Sequence, residues 1–193
     1  MYTEYEVKVR NIDRSQLIEQ WKSLGAVLEK PRTFFQRVVF KHPIDPEQGF
    51  VRVRNEGSKI TCTSKRIDLT KEIDSVTESE LIIDDFQAGV SFLQSLGLVQ
   101  KAFQETYREQ WKWGDVQLTI DERPGLKPFL EIEGPDKESV YRVIDQLGIS
   151  HDSVIFGTVD EMYLQELDIP RHVINATPSL TFDNPPGRYK VGS

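Results

Sequence analysis

From Glu4 to Arg10 charged and apolar residues alternate: Glu4, Glu6, Lys8 and Arg10 fall on one side, Tyr5, Val7 and Val9 on the other. Successive side chains of a strand point to opposite faces, so the spacing predicts a strand with a row of mixed charge backed by an apolar row. The rule recurs. Val51 and Val53 alternate with Arg52 and Arg54, and Ile60 and Cys62 alternate with Lys59, Thr61, Thr63 and Lys65, with Asn55-Glu56-Gly57 as the hairpin turn between them. Further strands are predicted at Thr77–Ile83 with Glu78 and Glu80, Ala102–Trp111 with Arg108, Asp115–Glu122 with Asp121, and Pro128–Gly134 with Glu131 and Glu133 around Ile132. Trp113-Gly114-Asp115 turns the chain between two of them.

Three segments change period. Asp13–Leu24, Asp84–Leu96 and Asp136–Leu147 each open on an Asp suited to cap a helix and close at Leu-Gly, with Gly25, Gly97 and Gly148 at the left-handed cap position. Leu17, Trp21 and Leu24, then Phe86, Val90 and Leu93, then Val140, Ile144 and Leu147 recur at helical spacing, which predicts amphipathic cover helices. Glu4-Tyr5-Glu6, Glu78-Ser79-Glu80 and Glu131-Ile132-Glu133 each precede one of these helices, a loose internal repeat. A short helix is predicted near Thr158–Leu167. The chain therefore divides into a principal unit over residues 1–168 and a tail over 169–193, rich in Pro, Asn and Gly, to which no chemistry is assigned.

Composition narrows the function. At 193 residues, with 38% hydrophobic and 28% charged residues, the chain has the makeup of a globular protein with a substantial core. A net charge of -7 argues against general nucleic-acid binding, since phosphate backbones reward a basic surface. Cys62 is the single cysteine, and His42, His151 and His172 lack ligand spacing, so neither a disulfide framework nor a zinc site is predicted. No run approaches the roughly 20 apolar residues of a membrane span and no targeting segment is read at the start, which together predict a cytoplasmic protein without membrane contact.

The shared strand rule carries the chemistry. If the helices cover the apolar faces, the charged faces must look at one another across a curled sheet, which makes the fold α+β, a closed antiparallel β-barrel with a charged interior. That interior gathers Glu4, Glu6, Lys8, Arg10, Arg52, Arg54, Lys65, Glu80, Arg108, Asp121, Glu131 and Glu133. Unpaired buried charges cost several kcal/mol each, so the cavity must hold water, ions or a ligand. Converging Arg and Lys suit phosphate oxygens, and paired carboxylates suit a hard divalent cation. Together they describe a metal–polyphosphate site.

These residues resemble, in order, the signatures of the CYTH family, the triphosphate tunnel metalloenzymes. Glu4-Tyr5-Glu6-Val7-Lys8 is similar to the family's opening ExExK, Arg52-Val53-Arg54 to its RxR strand, Thr61–Lys65 to its strand ending in Lys, Glu78-Ser79-Glu80 to its central ExE, and Glu131-Ile132-Glu133 to its closing EIE. The resemblance implies Mg²⁺ or Mn²⁺ as cofactor and a small-molecule triphosphate or nucleotide as partner. It implies Glu4, Glu6, Glu131 and Glu133 as metal ligands, supported by Asp121 or Glu80. By the same likeness Lys8, Arg52, Arg54, Lys65 and Arg108 grip phosphate oxygens, with Lys8 also a candidate to orient an attacking water. The first expectation is a metal-dependent phosphohydrolase acting on inorganic or organic triphosphate. The alternatives are a class IV adenylyl cyclase and a non-catalytic polyphosphate or nucleotide-binding module. The chain departs from the family pattern at Thr106 and Val76, where a Lys and an Arg are usual, at Lys127 in Gly125-Leu126-Lys127, and at Phe40-Lys41. Lys59 and Lys127 are the cations available to compensate.

Overall fold

The alternating segments become strands that pair side by side. A computed structural model describes residues 2–67 and 76–187, residues 2–4 and 67 by their backbone alone. Eight strands form its wall: β1 (Tyr2–Val9), β2 (Val27–Lys41), β3 (Gly49–Asn55), β4 (Ile60–Ile67), β5 (Val76–Ile83), β6 (Gln100–Trp113), β7 (Val116–Glu122) and β8 (Phe129–Gly134). Their order is β6-β2-β3-β4-β5-β1-β8-β7, every pair is antiparallel, and β7 pairs again with β6. The sheet thus curls until its two ends meet, the charged α+β barrel expected from the alternation. At one seam, among the described residues, β1 meets β5 through Tyr2, Thr3 and Glu4. Past that seam the remaining residues of β1, Tyr5–Val9, pair with β8, and β9 (Val154–Ile155) pairs with Lys8 and Val9.

Helices cover the apolar outer face. In α1 (Arg14–Ser23) and α3 (Lys137–Gln146), Asp13 and Asp136 accept the N–H groups of Gln16 and Ser139. In α2 (Phe86–Ser95) the cap is Asp85, one residue later than the expected Asp84, and it accepts the Ala88 N–H at 2.6 Å. Helices α1 and α3 bury Trp21, Val140 and Ile144 against Val7, Leu118, Ile120, Leu130 and Ile132 of β1, β7 and β8. Helix α2 sets Val90 and Leu93 on Val38, Phe40, Val51 and Val53 of β2 and β3. Fully burying side chains of this kind contributes about 1.5–3 kcal/mol each, enough to fix which face of every strand turns outward. The charged face has only the interior left.

Residues 156–187 close over one end. They carry α4 (Asp160–Leu167), α5 (Arg171–Ala176) and β10 (Ser179–Leu180), which adds in parallel to β6 at Phe103 and Gln104. Tyr163, Ile169, Ile174 and Leu180 hold this segment together, and the Tyr163 hydroxyl donates to the Pro124 carbonyl at 2.9 Å. No helix among the described residues is long and apolar enough to cross a membrane.

Candidate functional site

The inward faces enclose a cavity of about 540 Å³, a size common among ligand pockets. Strand register explains its carboxylates. β1 and β8 place Glu6 opposite Glu133 and Lys8 opposite Glu131, so one patch of wall carries three acids and one amine. Glu6, Glu131 and Glu133 each bring a carboxylate oxygen within 4.8 Å of the others. Burial, then Glu6 and Glu131, push the Glu133 carboxyl up to about 7, as expected where like charges crowd. Glu131 moves the other way: burial raises it, but Arg108 and Lys8 outweigh that and hold it well below the usual carboxylate range. An all-oxygen set with one reluctant carboxylate fits a hard divalent cation, whose charge relieves the crowding. The residues present fit such a cation.

Lys8 sits inside this patch. Its ammonium donates to Glu6 Oε1 at 3.0 Å and to the Gly157 carbonyl at 2.8 Å, and lies 3.5 Å from Glu131 Oε2. Burial lowers its pKa, but Glu6 and Glu131 more than offset this and raise it, so the amine stays protonated and offers no lone pair for a base. Asp121 and Glu80 stand outside the three-acid cluster. Asp121 grips the Arg108 guanidinium through two bonds of 2.6 Å, and Arg108 also donates to Glu131 at 2.9 Å. Glu80 accepts from the Thr63 hydroxyl at 3.0 Å and faces Arg54 and Lys59 at 3.8 and 3.5 Å. The Glu4 side chain lies outside the described residues; its backbone pairs with Val76.

The cations line the same cavity. Arg52 and Lys65 face Glu78 at 3.8 and 3.3 Å, while Arg54 pairs with Glu56. Burial, then the neighbouring Arg52, push the Arg54 guanidinium down to about 10, a sign of positive charge crowded together. In the protein alone, these acids and bases neutralise one another. A cation that takes the acids and an anion that takes the guanidinium groups therefore assist each other's binding, because each frees the other's partners.

Other wall residues escape the sequence reading. Glu56, read only as part of a hairpin turn, is 4% exposed and also accepts from Lys30 at 2.9 Å. Its flanking cations Arg54 and Lys59 were the available signal. Arg37 is inward and buried, yet its neighbours on that face, Phe35 and Val39, are apolar, so alternation hides it. Arg123 lies past the end of β7 and also lines the cavity. Arg10, expected inside, follows the last residue of β1 and is not part of the lining. Thr106 is buried, Val76 and Lys59 line the cavity, and Lys127 is exposed and does not.

Known proteins match this architecture. The sequence model of the CYTH domain covers residues 2–165. A protein of Methanocaldococcus jannaschii, named as a candidate adenylate cyclase, is 28% identical over 165 residues, 79% of this chain and 93% of the relative. Among solved structures, a conserved hypothetical protein from Pyrococcus furiosus superposes with a TM-score of 0.69 at 22% identity, over 85% of this chain and 99% of its own. A candidate adenylyl cyclase from Hippeastrum, described as having a dominant triphosphatase activity, superposes with a TM-score of 0.56 at 15% identity, over 85% and 94% of the two chains.

Proposed function

The chain belongs to the CYTH domain family, and from that premise we propose that it is a divalent-metal-dependent phosphohydrolase acting on a triphosphate. One observation carries the reading: the cluster of Glu6, Glu131 and Glu133 and the cations Arg52, Arg54, Lys65 and Arg108 line the same cavity. Phosphoryl transfer needs positioned phosphates, neutralised charge and an in-line nucleophile rather than covalent help from the protein. Glu6, Glu131 and Glu133 hold the cation, with Glu4 added by likeness to the family motif. A divalent cation there supplies charge neutralisation and polarises phosphoryl oxygens. Arg52, Arg54 and Lys65 hold the phosphate chain, and Arg108 does so from an orientation fixed by Asp121. Lys8, protonated and tied to Glu6 and Gly157, contributes fixed positive charge beside the reacting group and a donor able to orient water.

The name of the archaeal relative favours a second reading, cyclisation of ATP. The same residues would serve, but a nucleoside needs a flat apolar slot. Phe35 and Phe50 line the cavity, and cations already lie over their rings: Lys30 at 5.0 Å and Arg54 at 5.5 Å over Phe35, Arg52 at 5.9 Å over Phe50. Inorganic triphosphate is therefore the preferred substrate. The test is a Mn²⁺- and Mg²⁺-dependent assay on triphosphate, thiamine triphosphate and ATP that resolves phosphate, pyrophosphate and cyclic AMP. Phosphate release supports the hydrolase, cyclic AMP the second reading, and binding without turnover a polyphosphate-binding module.

The grip separates from the fold. Arg52→Ala is expected to weaken triphosphate binding about tenfold or more, the loss of a charge-assisted contact. It should cost little stability, because Glu78 keeps Lys65 at 3.3 Å. Arg54→Ala is expected to weaken binding similarly and likewise to cost little stability, because Glu56 keeps Lys30 at 2.9 Å. Binding isotherms beside urea melts check both. A large stability loss with unchanged binding in Arg52→Ala would show that Arg52 serves only the internal ion-pair network.

A further inference from the structure

Two guanidinium groups in the cavity have no acid to hold among the described residues. Among the described residues no carboxylate lies within ion-pair distance of Arg37 or Arg123. Arg37 is 8% exposed, and among the described residues its hydrogen-bond partner is Gln104, whose Oε1 accepts from Nε at 2.8 Å. Arg123 Nε is buried with no hydrogen-bond partner, and burial holds its pKa below the ordinary value even though Glu131 and Glu6 lie within electrostatic range. Every cation of the triphosphate grip, by contrast, already faces a carboxylate.

Arg37 and Arg123 also share a second space. A side pocket of about 40 Å³ lies between them and the closing segment, and it shares Arg37, Gln104, Arg123, Val159, Asp160 and Asn175 with the main cavity. That volume exceeds the roughly 10–15 Å³ of accessible space that one water needs, so the pocket has room for the oxygens of one small group. The single carboxylate shared by the two spaces, Asp160, is already engaged by Arg171 at 2.5 Å, by Asn175 at 3.0 Å and by the Thr158 hydroxyl. Glu105 also lines the side pocket, its Oε2 accepting the Phe182 N–H at 3.0 Å, so two guanidinium forks and a side-chain amide outweigh one acid there and suit a tetrahedral oxyanion.

We propose that Arg37 and Arg123 form a separate phosphoryl subsite off the main cavity, which takes one group beyond the metal-bound triphosphate. Its occupant is the end group of a linear polyphosphate longer than three units, or a free orthophosphate beside the bound chain. The site stands on its own geometry; only the identity of its neighbour rests on the triphosphate reading.

Calorimetric titrations of the full chain, with Ca²⁺ to support binding, distinguish the cases. For a chain end, tetraphosphate is expected to bind about tenfold tighter than triphosphate, and Arg37→Gln and Arg123→Gln to bring that ratio toward one. For free phosphate, orthophosphate should bind the triphosphate-saturated protein and fail to bind either variant. Equal affinity for the two chains in the wild type together with no orthophosphate binding overturns the subsite, and so does a preference that both folded variants keep. If triphosphate itself does not bind, the proposed function fails, and orthophosphate binding that depends on Arg37 and Arg123 still decides the subsite. The wild-type comparison needs no variant, so a variant that does not fold leaves the inference open to refutation.

Discussion

Glu133→Gln is expected to abolish metal-dependent triphosphate turnover while making the metal-free protein more stable at pH 8. The substitution keeps the shape and one oxygen but removes the charge, and even partners behind metal ligands commonly cost 10- to 100-fold when lost, so a ligand should cost about 100-fold or more. The stability gain follows from crowding. Glu133 is pushed up to about 7 in the folded chain by burial, then by Glu6 and Glu131, whereas an unfolded glutamate titrates near 4.3. A folded-state pKa above the unfolded one means that the native state holds the extra proton between those values. Stability from this group is therefore fully present below about pH 4.3 and is lost as pH rises through about 7. The loss is on the order of 3 kcal/mol, and Glu133→Gln removes it. Without metal, wild-type melting temperature should fall between pH 5 and pH 8, and that slope should flatten in the variant. With saturating Mn²⁺ the order reverses, because only the wild type gains the full benefit of the cation. Unchanged turnover, or equal stabilisation by Mn²⁺ in both proteins, would remove Glu133 from the metal site.

Alternation made most of the wall legible. Where a strand bears charge on one face and apolar residues on the other, as in Glu6-Val7-Lys8 or Glu131-Ile132-Glu133, the covering helix leaves the charge nowhere but inside. The helices were legible for a similar local reason, since Asp13 and Asp136 cap where the sequence places them. What escaped lay where local pattern and tertiary position part company. Arg37 shares its inward face with Phe35 and Val39, Glu56 stands in a turn, and Arg123 follows a strand end, so none belongs to a clear alternation. Arg10 erred in the opposite sense: the pattern continued for one residue after the strand had ended. The distribution of partners was also beyond sequence. Glu80 and Asp121, expected as supporting acids, stand opposite Thr63 and Arg108 in register and bond to those neighbours across the ladder.

Lys8→Met tests the same cluster from the side of its cation. In the protein without metal, Lys8 is the positive charge shared by Glu6 at 3.0 Å and Glu131 at 3.5 Å, and it is 4% exposed. Methionine preserves much of the volume and flexibility of the stem but leaves those carboxylates beside Glu133 with one counter-charge fewer. Removing one partner of a buried ion pair typically costs about 3–5 kcal/mol, which for a chain of this size lowers the melting temperature by roughly 10 °C. A divalent cation bound by the same acids should replace the missing charge, so Mn²⁺ is expected to raise the melting temperature of Lys8→Met by more than it raises that of the wild type. Adding Glu133→Gln to Lys8→Met should restore part of the loss, because the two changes act on one cluster and are not additive. Turnover should stay low even at saturating Mn²⁺, since the donor beside the reacting phosphoryl group is gone. A variant that melts like the wild type without metal would show that Glu6 and Glu131 do not depend on Lys8. One that is destabilised but gains no more from Mn²⁺ than the wild type would place the cation elsewhere than among Glu6, Glu131 and Glu133.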